Sequence, residues 1–189
     1  MYKKRAFILN LILILSLMSC QDKNHVETET IDGLITKQEK ENFLKELFIK
    51  DQKLRNPEKS EAILKRNNYN TKAKEFQKYL ESMKQQDMKN FEVAIYYLKK
   101  HGYPSFSFQD PFAEYGIMAV ARHQNLKRKL KLQPYFYKAY KKSHLTSDNY
   151  YEFLNEIYKD KFGKRYSSKS DVINYKHSIE EMLDDLELQ

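Results

Sequence analysis

Residues that break helices are scarce in this chain. Only four glycines and four prolines occur among 189 residues, and the long stretches between them are rich in Lys, Glu, Leu and Gln. Glycine and proline disfavour the interior of a helix, whereas these other residue types favour it. The hydrophobic fraction of 41% is also too high for a disordered chain. The sequence therefore predicts an all-α fold, a compact single domain of several helices.

Capping signals predict where the first helices begin and end. Thr36 and Glu39 have the spacing of a capping box, and the helix that they open should end near Asn56. Pro57 suits the first turn of a short second helix, because its missing N–H is not needed there. A third helical pattern runs from about residue 71 to residue 101, and Gln86 marks a candidate break within it.

The later helices follow from similar signals. Asp110 and Pro111 open a segment that is apolar on nearly every side, which indicates a central, buried helix. A basic helix is expected from Asn125, another should start at Pro134, and Thr146 should cap the next. Ser170 is predicted to cap the last helix. Its apolar positions fit packing on the domain's own core better than a coiled-coil seam, and they are Val172, Tyr175, Ile179, Met182 and Leu186.

The N-terminal segment has the features of an export signal. Three cationic residues, Lys3, Lys4 and Arg5, precede an uncharged apolar run over residues 6–18. A membrane-spanning helix needs about 20 apolar residues, whereas secretory signals carry about 7–15. The run is therefore typical of a signal peptide rather than of a permanent membrane span.

The single cysteine of the chain, Cys20, follows this run directly. The order Leu17, Met18, Ser19, Cys20 resembles the bacterial lipobox, in which the thiol receives a diacylglycerol and the peptide is cut before the cysteine. Two or three acyl chains suffice to hold a protein at a bilayer. A buried core cysteine or a free thiol is the alternative, but neither explains this position. We therefore expect a signal peptide over residues 1–19, a lipidated Cys20 with a polar tether over residues 20–35, and a helical domain over residues 36–189.

This arrangement predicts the location of the protein and limits its chemistry. The protein is expected at the bacterial cell envelope, anchored to a membrane by lipid and facing the periplasm or the cell exterior. Because Cys20 would be lipidated, no cysteine remains for a disulfide, a zinc site or a nucleophile.

Positive charge is concentrated in one part of the chain. No acidic residue occurs between Tyr115 and Ser147, an interval that contains the basic residues Arg122, Lys127, Arg128, Lys129, Lys131, Lys138, Lys141 and Lys142. Tyrosine and phenylalanine side chains at residues 135–137 and 140 lie among them. Such a surface suits anionic headgroups or envelope phosphates, or simply a solvated face. Aromatic stacking on nucleic acid is the further alternative, but an exported protein is not expected to meet that ligand.

Sequence motifs of the familiar enzyme classes are absent. The five histidines have no H-E-x-x-H spacing, and the chain has neither a G-x-S-x-G elbow nor a glycine-rich phosphate loop. No metal or other cofactor is predicted.

One group of polar residues is a candidate site. Asp51 and Arg55 continue the apolar face of the first predicted helix, so they should lie at the margin of the core, with Gln52 beside them. The buried helix ends in Arg122 and His123, which would face them from the other side. The group is a structural polar network, a surface pair, or a catalytic site in which His123 is the general base and Arg55 holds an anion.

Several short motifs resemble those of an uncharacterised bacterial family of small helical domains. That family has an Asp-Gln-x-x-Arg motif, a Gly-Trp-Pro-Ser turn, a Gln-His pair, an Asp-Arg pair and a closing Tyr-Gly-Thr-Gln motif. The positions that fit these motifs are Asp51, Gln52, Arg55, Gly102, Pro104, Ser105, His123, Gly163 and Tyr166. The resemblance covers roughly Phe43 to Ser168 and implies architecture rather than chemistry.

Other positions depart from the family pattern. They are Tyr103 in place of Trp, Arg122 in place of Gln, and Asn155 with Glu156 in place of the Asp-Arg pair. These changes would remodel any polar pocket that the family shares. Two functions remain open: an envelope-tethered module that binds an anionic component or a protein partner, and a hydrolase-like or transferase-like enzyme using Asp51, Arg55 and His123.

Overall fold

A computed structural model describes residues 27–167 and 174–188. The described residues form helices and no strands, which confirms the all-α prediction. The helices of the domain are α1 (Lys37–Gln52), α2 (Pro57–Arg66), α3 (Lys74–His101), α4 (Pro111–Arg122), α5 (Leu126–Lys141), α6 (Ser147–Phe162) and α7 (Tyr175–Leu186).

The contacts group the chain into two units, residues 1–35 and residues 36–189. In the first unit, the described residues are helical over residues 27–32, within the segment predicted as a tether. The predicted signal peptide and Cys20 lie outside the described residues, as do Ser170 and Val172. Within the described ranges, no helix combines the length and the apolar character that crossing a bilayer requires.

The predicted helix starts at residues 36, 57 and 111 are confirmed. The Thr36 hydroxyl accepts a hydrogen bond from the Glu39 N–H at 3.2 Å, and the Glu39 carboxylate accepts one from the Thr36 N–H at 2.8 Å. Asn56 and Asp110 are the N-cap residues of α2 and α4, and in both helices a proline follows immediately.

Three predicted boundaries are wrong. Pro134 lies inside α5 and does not open a new helix, because the buried face of α5 continues past it from Leu132 to Phe136. Helix α3 is continuous at Gln86 and begins at Lys74. Helix α7 begins after Asn174, whose side chain accepts a hydrogen bond from a backbone N–H of the first turn, and not after Ser170.

Helix α4 lies at the centre of the domain, as predicted. Seven of its twelve residues are buried, and its most extensive packing is against α1. The two helices approach closely at Gly116, where an added Cβ would lie 2.4 Å from the carbonyl oxygen of Leu44. At their N-terminal ends, the buried Glu41 carboxylate accepts the backbone N–H groups of Gln109 and Asp110 at 2.5 and 2.6 Å.

Helices α1 and α4 therefore run side by side in the same direction. Residue 41 meets the start of α4, residue 44 meets its middle, and residue 51 meets its end. This alignment places the C-terminal end of α1 beside His123, the residue that caps α4.

The last helix packs on the domain's own core. Ile179, Met182 and Leu186 are buried, and α7 contacts α6. Shortly after α6, the N–H of Tyr166 donates to the side-chain oxygen of Asn155 at 2.9 Å. The burial confirms core packing of Ile179, Met182 and Leu186, whereas Tyr175, which was predicted with them, is 38% exposed.

Candidate functional site

The structure brings four of the five predicted site residues together. Asp51, Gln52 and His123 meet at the adjacent ends of α1 and α4, and Arg55 reaches them from the turn after α1. Arg122 does not join them: its side chain is exposed, and within the described residues it makes no hydrogen bond or ion pair.

The carboxylate of Asp51 is the centre of this group. Its side chain is fully buried, and three groups from the α1 and α4 ends contact it: Gln52 Nε2 at 2.8 Å, Arg55 Nε at 3.4 Å and His123 Nε2 at 3.5 Å. Asn90 Nδ2, from α3, donates to its other oxygen at 3.3 Å. Burying a carboxylate is costly unless charge and hydrogen bonds compensate it, and here both are present.

A second carboxylate, that of Asp87 on α3, completes the group. Arg55 pairs with it while also contacting Asp51, so one guanidinium joins two acids. Burial is the main cause that raises the pKa of Asp87, and the Arg55 charge opposes that rise. We call Asp51, Gln52, Arg55, Asp87, Asn90 and His123 the polar cluster.

Asp87 and Asn90 were not predicted from the sequence. They lie three residues apart and so share one face of α3. Asn90 also stands at a core position, since it is four residues before the buried Ala94. A polar residue that continues an apolar stripe was the available signal. Gln124 was missed too; it is buried, and its Nε2 donates to the carbonyl oxygens of Asp87 at 3.2 Å and Val120 at 3.0 Å.

His123 is more accessible than the charged residues that it contacts or neighbours in the polar cluster. Its side chain is 31% exposed, against 19% for Arg55 and 0% for Asp51. Burial is the main cause that lowers the pKa of His123, and the neighbouring Asp51 carboxylate acts in the opposite direction. A neutral imidazole oriented by a carboxylate has the arrangement of a general base.

Neither Asp51 nor His123 lines the cavity that the described residues form next to the polar cluster. This cavity has a volume of about 830 Å³ and mainly apolar walls that include Phe48, Ile49 and Phe112. Gln52 and Arg55 reach its edge. Across the described residues, the contacts of the polar cluster are those of a network that joins α1, α3 and α4.

The basic interval is only partly a surface. Lys129 is buried, with Nζ 2.9 Å from Asp160 and 3.8 Å from Glu156 on α6, so its assignment to a basic face is corrected. The guanidinium of Arg128 lies over the ring of Phe91. Lys129 lies on the buried side of α5, three residues before Leu132.

Two of the aromatic residues of this interval pack against α6. Phe136 is fully buried and stacks on Phe153, with ring centroids 4.2 Å apart. Tyr140 stacks on the buried Tyr150, at 4.8 Å. These rings belong to the contact between α5 and α6, so they do not form a platform on which nucleic-acid bases would stack.

A cleft lies where the C-terminal ends of α3 and α5 come together. Its volume is about 560 Å³, and the ring of Tyr135 and the buried Leu98 and Ala139 provide apolar wall. We call it the lysine cleft, because its ionisable lining residues, apart from two tyrosines, are Lys99, Lys100, His101, Lys138, Lys142 and His144. No aspartate or glutamate of the described residues lines it, although Glu114 lines the neighbouring cavity.

Three of these lysines have no internal partner. Lys99, Lys138 and Lys142 are exposed, and among the described residues they make neither an ion pair nor a hydrogen bond. Basic residues favour helix C-termini, which accounts for one or two cations at each helix end. This preference does not explain why the C-terminal ends of α3 and α5 face the same cavity.

A metal site is not evident in the part of the chain that the structure describes. No group of three or more His, Cys, Asp or Glu side chains there is arranged to hold a metal ion.

Comparisons with known protein families, with curated proteins and with solved structures gave no significant match. The family resemblance of the short motifs stays a prediction. Function has to be argued from the polar cluster and the lysine cleft themselves.

Proposed function

We propose that this chain is a lipid-anchored protein of the bacterial cell envelope whose helical domain binds an anionic envelope component. The observation that carries the binding half of this proposal is the lysine cleft, a cavity lined by cations and by no described carboxylate. Clefts of one charge sign concentrate ions of the opposite sign. The anchoring half rests on the lipobox-like order that ends at Cys20.

Anchoring and binding support each other energetically. Each lysine near an anionic surface contributes about 1 kcal/mol, which is weak for a protein free in solution. A lipid anchor removes much of this difficulty, because it holds the domain at high local concentration beside envelope lipids and glycans.

A hydrolase-like or transferase-like activity is the second candidate. The 3.5 Å contact between His123 and Asp51 is the observation in its favour. Against it, the Asp51 carboxylate is fully buried, and neither residue lines the adjacent cavity. We therefore favour binding over catalysis.

Metabolic labelling tests the anchor. Wild-type protein expressed in bacteria should incorporate radiolabelled palmitate and sediment with the envelope fraction. The Cys20→Ser variant should incorporate none, since it lacks the thiol. No label in the wild type, or equal label in both proteins, would contradict anchoring.

Retention on lipid tests binding. The full chain, purified in a neutral detergent, should be held at low salt by a resin that carries phosphatidylglycerol and should elute as salt rises, because salt screens exposed charges. A phosphatidylcholine resin is the control. Passage through both resins at low salt would refute the anionic partner and leave a protein partner as the remaining interpretation.

A further inference from the structure

We propose that the lysine cleft is a site for a phosphate group, either of a lipid headgroup or of a soluble phosphate compound. This inference rests on the proposed function and narrows the anionic component to one chemical class. Two features of the cleft carry it, namely its charge and its shape.

The charge of the cleft attracts anions. Lys99 comes from the last turn of α3, and Lys138 and Lys142 come from the end of α5, so ammonium groups of two helices line one cavity. Like charges placed together destabilise a fold. The buried Lys129 of α5 is paired with Asp160. Lys99, Lys138 and Lys142 have no such partner among the described residues, and no described acid lines the cleft, so an external anion would be their compensating group.

The shape of the cleft favours a phosphate-bearing group over a bare small ion. A volume of about 560 Å³ lies within the range of small-molecule sites, about 300–1,000 Å³. Tyr135 and Pro134 add apolar wall beside the lysines. Lysine is a point charge suited to phosphate, and the apolar wall suits the organic part that a phosphate ester carries.

The backbone amide of Gly102 can report on binding in the cleft. Gly102 lines it and caps α3, with φ of +72° and its N–H directed to the Leu98 carbonyl oxygen. The chain has only three other glycines, at positions 33, 116 and 163, and none of them lines the cleft. A glycine amide signal can therefore separate binding in the cleft from binding elsewhere.

Each glycine of this chain can be assigned from its preceding residue. His101 precedes Gly102, whereas Asp, Tyr and Phe precede the other three. The full chain, labelled with ¹⁵N-glycine and with ¹³C-carbonyl histidine, then identifies the Gly102 amide alone. We would record the four glycine amides in neutral detergent micelles while adding inorganic pyrophosphate or, separately, phosphatidylglycerol.

The expected result is a saturable shift of the Gly102 signal, with the Gly116 and Gly163 signals unchanged. Shifts with both probes, or with one of them, support the inference and identify the source of the phosphate. Absence of a Gly102 shift with either probe would overturn it, and so would similar shifts at all four glycines.

Paired variants separate the cleft from general positive charge. Lys99→Gln combined with Lys138→Gln removes two cleft charges and should weaken binding about 10- to 30-fold, at about fivefold per lysine. Lys127→Gln combined with Lys131→Gln removes two exposed α5 charges outside the cleft and should change affinity less than about twofold. Equal weakening by both pairs would overturn the cleft site while leaving the proposed envelope binding intact, because retention on the anionic resin tests that separately.

Discussion

The polar cluster and the lysine cleft both contain residues of α3, but they differ in how their charges are paired. Asp87 and Lys99 lie twelve residues apart on that helix, which is about 18 Å along its axis. In the polar cluster, Arg55 joins two acids and every charge has a partner. In the lysine cleft, the described residues provide cations and no acid.

We propose that this difference separates residues that stabilise the fold from residues available to a ligand. The polar cluster contains the side chains that suggest catalysis, yet their hydrogen-bonding groups are directed to one another. The lysine cleft contains no recognisable motif, but its Lys99, Lys138 and Lys142 have no partner among the described residues. We therefore propose that the polar cluster is structural and that the lysine cleft is the better candidate for function.

Loss of the Asp51 carboxylate should have the largest effect on the free energy of unfolding. Asp51→Asn leaves the Arg55 charge without one of its two acids, and breaking a buried pair costs about 3–5 kcal/mol. Urea denaturation of the full chain measures the change. Glu61→Gln is the control, because the Glu61 pair with Lys65 is exposed and should contribute less than about 1 kcal/mol. A similar small loss for both variants would contradict the structural role of the polar cluster.

The close approach of α1 and α4 should give the next largest effect. Gly116→Ala places a methyl group against the Leu44 carbonyl and should lower the free energy of unfolding by about 1–3 kcal/mol. The sign of the change in stability tests whether the helices approach closely, because alanine at an unobstructed helix position would stabilise the protein by about 1 kcal/mol. A gain in stability would mean that the helices do not approach as described, and the alignment of Asp51 with His123 would then lose its basis.

Acid should weaken the polar cluster through His123. Burial lowers its pKa in the folded state, so below about pH 6.5 the unfolded chain binds the proton more readily than the folded one. The free energy of unfolding should therefore fall as the pH decreases through this range. His123→Gln should reduce the dependence of the free energy of unfolding on pH between pH 7 and pH 5.5. An unchanged dependence on pH would show that His123 is not held neutral in the folded protein.

Changes in the lysine cleft should have the smallest effect on stability. Lys99→Gln with Lys138→Gln removes charges that have no internal partner among the described residues, so the free energy of unfolding should change by less than about 0.5 kcal/mol. Thermal unfolding followed by circular dichroism measures this. A loss of 2 kcal/mol or more would mean that these lysines stabilise the fold.

The sequence was sufficient to predict the fold class and part of the polar cluster. Continuing the apolar face of α1 leads to Asp51 and Arg55, because helical periodicity is a local property. Arg122 was included because the buried helix ends in Arg122 and His123. Consecutive helical residues are rotated by about 100° from each other, and the Arg122 side chain is exposed.

Apart from the meeting of His123 with Asp51, features that depend on contacts between helices were not predicted. The pairing of Lys129 with Asp160 requires α5 to lie on α6, and the lysine cleft requires the ends of α3 and α5 to meet. In the sequence, the buried Lys129 and the cleft residues Lys138 and Lys142 fall in the same basic interval, so charge along the chain could not distinguish them. Pro134 illustrates a different limit, since a strong local signal for a helix start is overridden by the continuous buried face of α5.

One measurement tests the division between the two regions directly: the shift in the thermal unfolding midpoint of the full chain on addition of pyrophosphate. We expect the wild type to shift upward, and Asp51→Asn to start at a lower midpoint and show the same shift. The Lys99→Gln, Lys138→Gln protein should start at the wild-type midpoint and show no shift. A retained shift in the lysine variant, or a lost shift in a folded Asp51→Asn protein, would contradict the account.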